Sequence, residues 1–184
     1  VFHPQFHGRE HINVHLWLML LQEQHPIFHL AFKHKFWGLS NGILTDLDRS
    51  IQAPFDCINS EAQTFQQKSI EQGLGLFEEH FGFRSKSFIA GNYIWGKYHE
   101  ISASNCGVDF LQGMKYQLLP KKWGGKRKMI RHATGEFNEY GQIYLIRNCI
   151  FEPSLNTLNS SNPVESCLKD IQNAFLWNRP AIIT

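Results

Sequence analysis

The sequence predicts an α/β fold of parallel βα units, on two observations. A helical pattern followed at once by a short apolar run occurs three times. Parallel strands need such crossovers, because a two-residue turn cannot bring the chain back in the same direction. The second observation is size and balance: 184 residues, 42% hydrophobic and 18% charged, suit one globular domain spanning 1–184.

Taken in order, a strand is expected through Phe6 and a turn at Gly8. Asn13 then caps a helix from Val14 to about Gln24, with Trp17, Leu20 and Leu21 facing inward. Ala31 to Asp56, with Gly38, Gly42 and Pro54, reads as irregular. The first unit runs from Ser60 through Phe65, Ile70, Leu74, Phe77 and Phe81, a spacing that keeps one face apolar. Ser60 is its expected N-cap and Gly82 its left-handed terminator, before the strand Ser87-Phe88-Ile89-Ala90. The second unit places a helix near Glu100 to Asn105 and a strand over Val108-Asp109-Phe110-Leu111. Gln142 to Ile146 is a further strand. The third unit sets Val164, Leu168, Ile171, Phe175 and Leu176 on one helical face and ends on Ala181-Ile182-Ile183, read as a buried strand. Asn156 to Pro163 reads as a polar loop.

Both ends read as cut, with no Met before Val1-Phe2-His3-Pro4 and a final strand at Thr184, so the chain is expected to be incomplete at each end. A missing signal peptide then says nothing about export. No apolar run reaches the ~20 residues that span a bilayer. A net charge of +2 gives no case for a nucleic-acid partner. The basic run from Lys121 to Lys128 suits a solvated loop, with phosphate contact as the alternative. Cys57, Cys106, Cys149 and Cys167 form no CxxC pair and read as free thiols. Together with Ile-, Asn- and Phe-rich usage they favour a bacterial cytoplasmic protein over an exported one.

The chemistry concentrates near the start. Histidines stand at 3, 7, 11 and 15, but Pro4 and Gly8 argue against a helix before Asn13. His7 and His11 therefore flank a strand-to-helix turn, where βα architectures place their sites. Two imidazoles there could hold zinc or a similar divalent ion, completed by carboxylate and water. Surface histidines are the alternative, and His3 and His15 are assigned to scaffold or surface. Glu10 could accept a hydrogen bond behind the pair, and Arg9 could clamp a carboxylate. After the later strands, Asn92, Tyr93 and Trp95 could form a sugar platform, or equally a packed aromatic turn. Arg147, Asn148 and Glu152 could orient substrate. Asp46 and Asp48 receive no role.

The stretch His7-Gly8-Arg9-Glu10-His11-Ile12-Asn13-Val14, followed by a Trp-containing helix, resembles polysaccharide deacetylase-like proteins of the NodB-homology group, carbohydrate esterase family four. In that group an HxxxH motif supplies two metal-binding histidines, which His7 and His11 match. The group's aspartate ligand and aspartate base lie on an earlier strand, upstream of Val1, and its late histidine lies beyond Thr184. The segment from Phe83 to Trp95 resembles the family's Arg-containing pocket loop, giving Arg84 a substrate-binding role, although Gly91 stands where proline is expected. The resemblance implies a distorted β/α barrel of parallel strands and hydrolysis of N-acetyl or O-acetyl groups on a bacterial polysaccharide or its sugar precursor. A metal-held water is suited to attack an acetyl carbonyl. The competing expectations are a glycan-binding relative without catalysis and a hydrolase of another small amide or phosphate ester. No GxxxxGK-type loop supports a phosphate cradle.

Overall fold

The computed structural model describes residues 3–39, 47, 49–56, 59–122, 124–153 and 162–183. Gly42, Asp46, Asp48, Cys57, Trp123 and most of the loop from Asn156 lie outside them. Helix α1 (Val14–Gln22) is capped as expected, the Asn13 side chain accepting from the Leu16 amide at 3.1 Å. Helix α2 (Pro26–Lys33) falls where neither helix nor strand was expected; its proline sits at the first turn, where a missing N–H costs nothing. Helix α3 (Ser60–Phe81) keeps its expected span, but Asn59 rather than Ser60 caps it, and Gly82 ends it at φ 72°.

Strand β1 (Ser87–Ile89) follows, then a 3-10 turn over Gly91–Tyr93, helix α4 (Lys97–Asn105) and strand β2 (Phe110–Gly113). Strand β2 starts two residues later than expected, because Gly107 terminates α4 at φ 82° and the Asp109 amide is already committed to Lys86. A hairpin absent from the sequence reading comes next, β3 (Tyr116–Leu118) pairing antiparallel with β4 (Met129–Arg131). Strand β5 (Ile143–Ile146) and helix α5 (Pro163–Leu176) complete the elements.

The strands β1, β2 and β5 form one parallel sheet in that order, with Ser87 opposite Phe110 and Phe110 opposite Ile143. Phe6 adds a single parallel bridge to Phe88. The fold is thus mixed α/β with a parallel three-stranded sheet, and no closed barrel forms among the described residues. Helices α3 and α4 cover the sheet through Ile70, Leu74, Phe77 and Ala103, packed with Phe6, Phe88, Leu111, Tyr144 and Ile146. All three residues of β1 are buried, as expected for a strand covered on both faces. A separate cluster joins α1 to α2 through Leu16, Trp17, Leu20, Phe28 and Ala31.

Two expectations fail at the C-terminal end. On α5 the buried positions are Cys167 and Ala174, whereas Val164, Leu168, Phe175 and Leu176 are exposed. The apolar face read from periodicity is mostly exposed, with Ile171 half-buried. Ile183 is also exposed, and its segment makes one bridge to Cys149 rather than a buried strand. Among the described residues no helix is long and apolar enough to cross a membrane. Cys106, Cys149 and Cys167 are free thiols.

Candidate metal and substrate site

The site is built where the Phe6 bridge ends. Phe6 is held beside β1 from both sides, its amide donating to Ser85 Oγ at 3.1 Å and its carbonyl accepting from the Ile89 amide at 3.0 Å. The next residue, His7, therefore emerges at the C-terminal end of β1. Gly8 then turns the chain at φ 102°, a conformation that a side chain resists. Asn13, buried, fixes the other side of the turn by donating to the carbonyls of Ala53 and Asp56. His11 sits between these two anchors.

The result is a pair. His7 Nε2 and His11 Nε2 are 3.3 Å apart, with the rings tilted by 64°. His7 Nδ1 lies 2.8 Å from the Ile89 carbonyl, which can only accept, so Nδ1 carries the proton and Nε2 is a bare lone pair aimed at His11. Two nitrogens bound at about 2.05 Å to one tetrahedral zinc also stand about 3.3 Å apart. A shared N–H···N bond would favour a shorter separation. His7 is accessible as a residue, yet its Nδ1 edge is turned into the chain. Burial of that edge lowers its pKa, against the Ile89 hydrogen bond, and the His11 and Arg147 charges lower it further. His7 is thereby kept neutral, the form that ligates metal. Among the described residues no third His, Cys, Asp or Glu joins the pair in a metal-binding group.

Arg9 and Glu10 do other work than expected. Glu10 accepts from Ser69 on α3 and pairs with Arg9, and Arg9 donates to Gln72 on the same helix. They pin the turn to α3 and touch neither imidazole. His3 stacks on Phe83 with centroids 4.3 Å apart, and His15 approaches Asn59, both scaffold positions as expected.

Of the other expected site residues, the structure brings two towards the pair. Arg147 leaves the C-terminal end of β5, donates from Nη1 to the Tyr93 hydroxyl at 2.7 Å and lies 5.5 Å from that ring's centroid. Tyr93 and Asn92 sit at φ 54° and 52°, an unusual left-handed pair that presents the tyrosine to Arg147. Asn92 points instead to Ser50 Oγ at 3.2 Å. Gly91 is required in place of the proline expected there, because any Cβ would stand 2.8 Å from Pro54 Cδ.

Three expectations are corrected. Trp95 is 2% exposed and donates its Nε1–H to Glu100, so its ring belongs to the core and offers no sugar platform. Arg84 precedes β1, at the opposite end of the strands from His7, and pairs with Glu78 at 2.8 Å. Glu152 is exposed beyond β5 and does not line the pocket that holds Arg147. The basic run is partly structural, since Arg127 forks onto the buried Asp56 at 2.7 and 3.1 Å.

The sequence reading missed two features. One is a buried network around Glu100, Tyr144 and His132; the other is a basic pocket of Lys115, Arg131, Arg147 and Arg179. Their members lie scattered along the chain, and no local spacing announces them. No family model matches the chain, and no curated protein or solved structure is significantly similar to it, which leaves the donor geometry as the ground for function.

Proposed function

We propose that the chain is part of a metal-dependent hydrolase that removes acetyl groups from a polysaccharide or its sugar precursor, with His7 and His11 as metal ligands. The observation that carries this reading is the Nε2–Nε2 distance of 3.3 Å, with His7 oriented by the Ile89 carbonyl at the C-terminal end of a parallel strand. The likeness of the HGREH segment to the deacetylase-like group agrees with it. On that reading the three-stranded sheet belongs to a distorted β/α barrel.

The donor set fits zinc, which accepts two imidazoles and leaves positions for carboxylate and water. A divalent ion held there would supply Lewis-acid polarisation of the acyl carbonyl and an acidified water. The chain's own residues contribute orientation. Ile89 fixes the His7 tautomer, and the Arg9–Glu10 brace to α3 holds the turn in place. Tyr93 holds Arg147 within the electrostatic reach of His7, positioned to orient a polar group of the substrate. The third metal ligand and the base are expected from outside the described residues.

The test is metal content of the purified protein by mass spectrometry, beside a His7→Ala/His11→Ala double variant. About one equivalent of zinc or another transition metal, lost in the variant, is the expected outcome. Wild-type protein that stays metal-free after reconstitution overturns the catalytic reading and favours a glycan-binding relative.

A further inference from the structure

The seven arginines divide into two groups. Arg9, Arg49, Arg84 and Arg127 each face a carboxylate, on Glu10, Asp56, Glu78 and Asp56 respectively. Arg131, Arg147 and Arg179 form no ion pair among the described residues, and all three line one pocket of about 320 Å³. Lys115 joins them, and no Asp or Glu lines that pocket. Thr134 and Asn148 add neutral polar groups on the same wall. Arg147 Nε is buried without a hydrogen-bond partner among the described residues, so one of its donors is unused.

Such an arrangement is unfavourable by itself. Like charges gathered in one concavity repel, and a buried guanidinium N–H left unmatched costs stability. An oxyanion resolves both, because planar guanidinium groups match phosphate and carboxylate oxygens two at a time. The location gives the ligand a context. Lys115 follows β2 and Arg147 follows β5, so the pocket opens at the same end of the sheet as His7. With β2 between β1 and β5, the two strand ends lie roughly 10 Å apart, about the length of one sugar unit with a substituent.

We propose that the pocket of Lys115, Arg131, Arg147 and Arg179 binds an oxyanion, phosphoryl or carboxylate, carried by the substrate of the neighbouring histidine pair. The substrate is thus an acidic sugar: a phosphorylated or diphosphate-linked precursor, or a glycan bearing uronate-type carboxylates. The ligand's role as substrate rests on the hydrolase reading; the pocket's affinity for an oxyanion does not.

The experiment is calorimetric titration of pyrophosphate, inorganic phosphate and glucuronate into the chelator-treated protein at constant ionic strength. The variants are Arg131→Gln/Arg179→Gln, both exposed positions, and His7→Ala/His11→Ala. Saturable binding of at least one anion, weakened tenfold or more in the arginine variant and kept in the histidine variant, is expected. Phosphate or pyrophosphate binding alone assigns the phosphoryl source, and glucuronate binding assigns the carboxylate. Absence of saturable binding to wild type, or equal binding by the arginine variant, overturns the proposal. So does loss of binding in the histidine variant, which would place the anion at the histidines. Metal loss in that variant tests the hydrolase reading separately.

Discussion

Two polar clusters flank the same sheet, and they differ in how many of their hydrogen bonds are closed. Around Glu100 nearly every group has found a partner. One carboxylate oxygen accepts from Trp95 Nε1 and the Tyr144 hydroxyl, both at 2.9 Å, and the other accepts from Asn138 at 3.2 Å. Tyr144 is buried and its phenol is pushed well above its usual pKa, first by burial and then by the Glu100 charge. At His7 and His11 the bonds stop short: one imidazole edge is anchored, and the two Nε2 atoms face each other with no third metal-ligating group among the described residues. The Glu100 cluster borders a cavity of about 450 Å³, larger than the one of about 320 Å³ beside Arg147, so cavity size does not single out the open pair. A donor set that consumes itself specifies a core, whereas one held rigid and left open is available to a ligand.

The largest expected effect tests the closed cluster. Glu100→Leu removes the acceptor of a buried indole N–H and a buried phenol O–H, and each orphaned donor costs about 1–3 kcal/mol. A loss of about 4 kcal/mol in urea unfolding is expected, with metal content unchanged wherever the variant is folded. A wild-type unfolding midpoint would mean that the cluster is not structural, and the comparison would break.

A second, smaller effect comes from His99, fully buried on α4. Its Nδ1 accepts from the Gly96 amide at 2.9 Å and its Nε2–H donates to Gln66 at 3.1 Å. Burial pushes its pKa down to about 3, so the folded protein keeps it neutral while the unfolded chain protonates it near pH 6.5. The unfolded state therefore binds the extra proton as pH falls below 6.5, and stability drops until the folded pKa is reached. By pH 5 this amounts to about 2 kcal/mol. The pH slope of unfolding should flatten in His99→Gln, and an imidazole seen by NMR to titrate above pH 5 would contradict the reading.

The part of the molecule that sequence reveals follows the same division. Helices α1 and α3 and strands β1 and β5 were legible because periodicity and caps are local: Asn13, Gly82 and the apolar run at Phe88 sit beside what they specify. The histidine pair was legible for the same reason, being one turn between Gly8 and Asn13. The hairpin β3–β4 was not, since its strands are three residues each and Gly124-Gly125 sits within a long basic stretch that reads as a solvated loop. Helix α2 is only eight residues long, too short for its apolar face to stand out. Trp95 misled because an aromatic after a strand looks the same in sequence whether its N–H meets Glu100 or solvent. Arg131, Arg147 and Arg179 come together only through the tertiary fold, and an unpaired arginine is invisible until its neighbours are known.

The smallest effect probes how the open site is held. Gly73 on α3 faces Phe6, and an added Cβ would lie 2.8 Å from Phe6 Cζ and 3.0 Å from Arg9 Cβ. Phe6 has little room to retreat, since it packs between Phe77 and Phe88 with ring centroids 6.3 and 5.6 Å away. Gly73→Ala gains about 1 kcal/mol of helix propensity and loses about 1–3 to overpacking, for a net destabilisation of about 1 kcal/mol. Gly75, on the same helix with nothing within 4 Å, supplies the control, and Gly75→Ala should stabilise by up to about 1 kcal/mol. Because Phe6 immediately precedes His7, the ring's displacement should also loosen the Nδ1 bond to Ile89 and weaken metal binding by roughly tenfold. Urea unfolding reads the first effect and competition with a chelating dye reads the second. If Gly73→Ala stabilises as Gly75→Ala does, the strand carrying His7 is not held against α3, and the rigidity claimed for the open pair is lost.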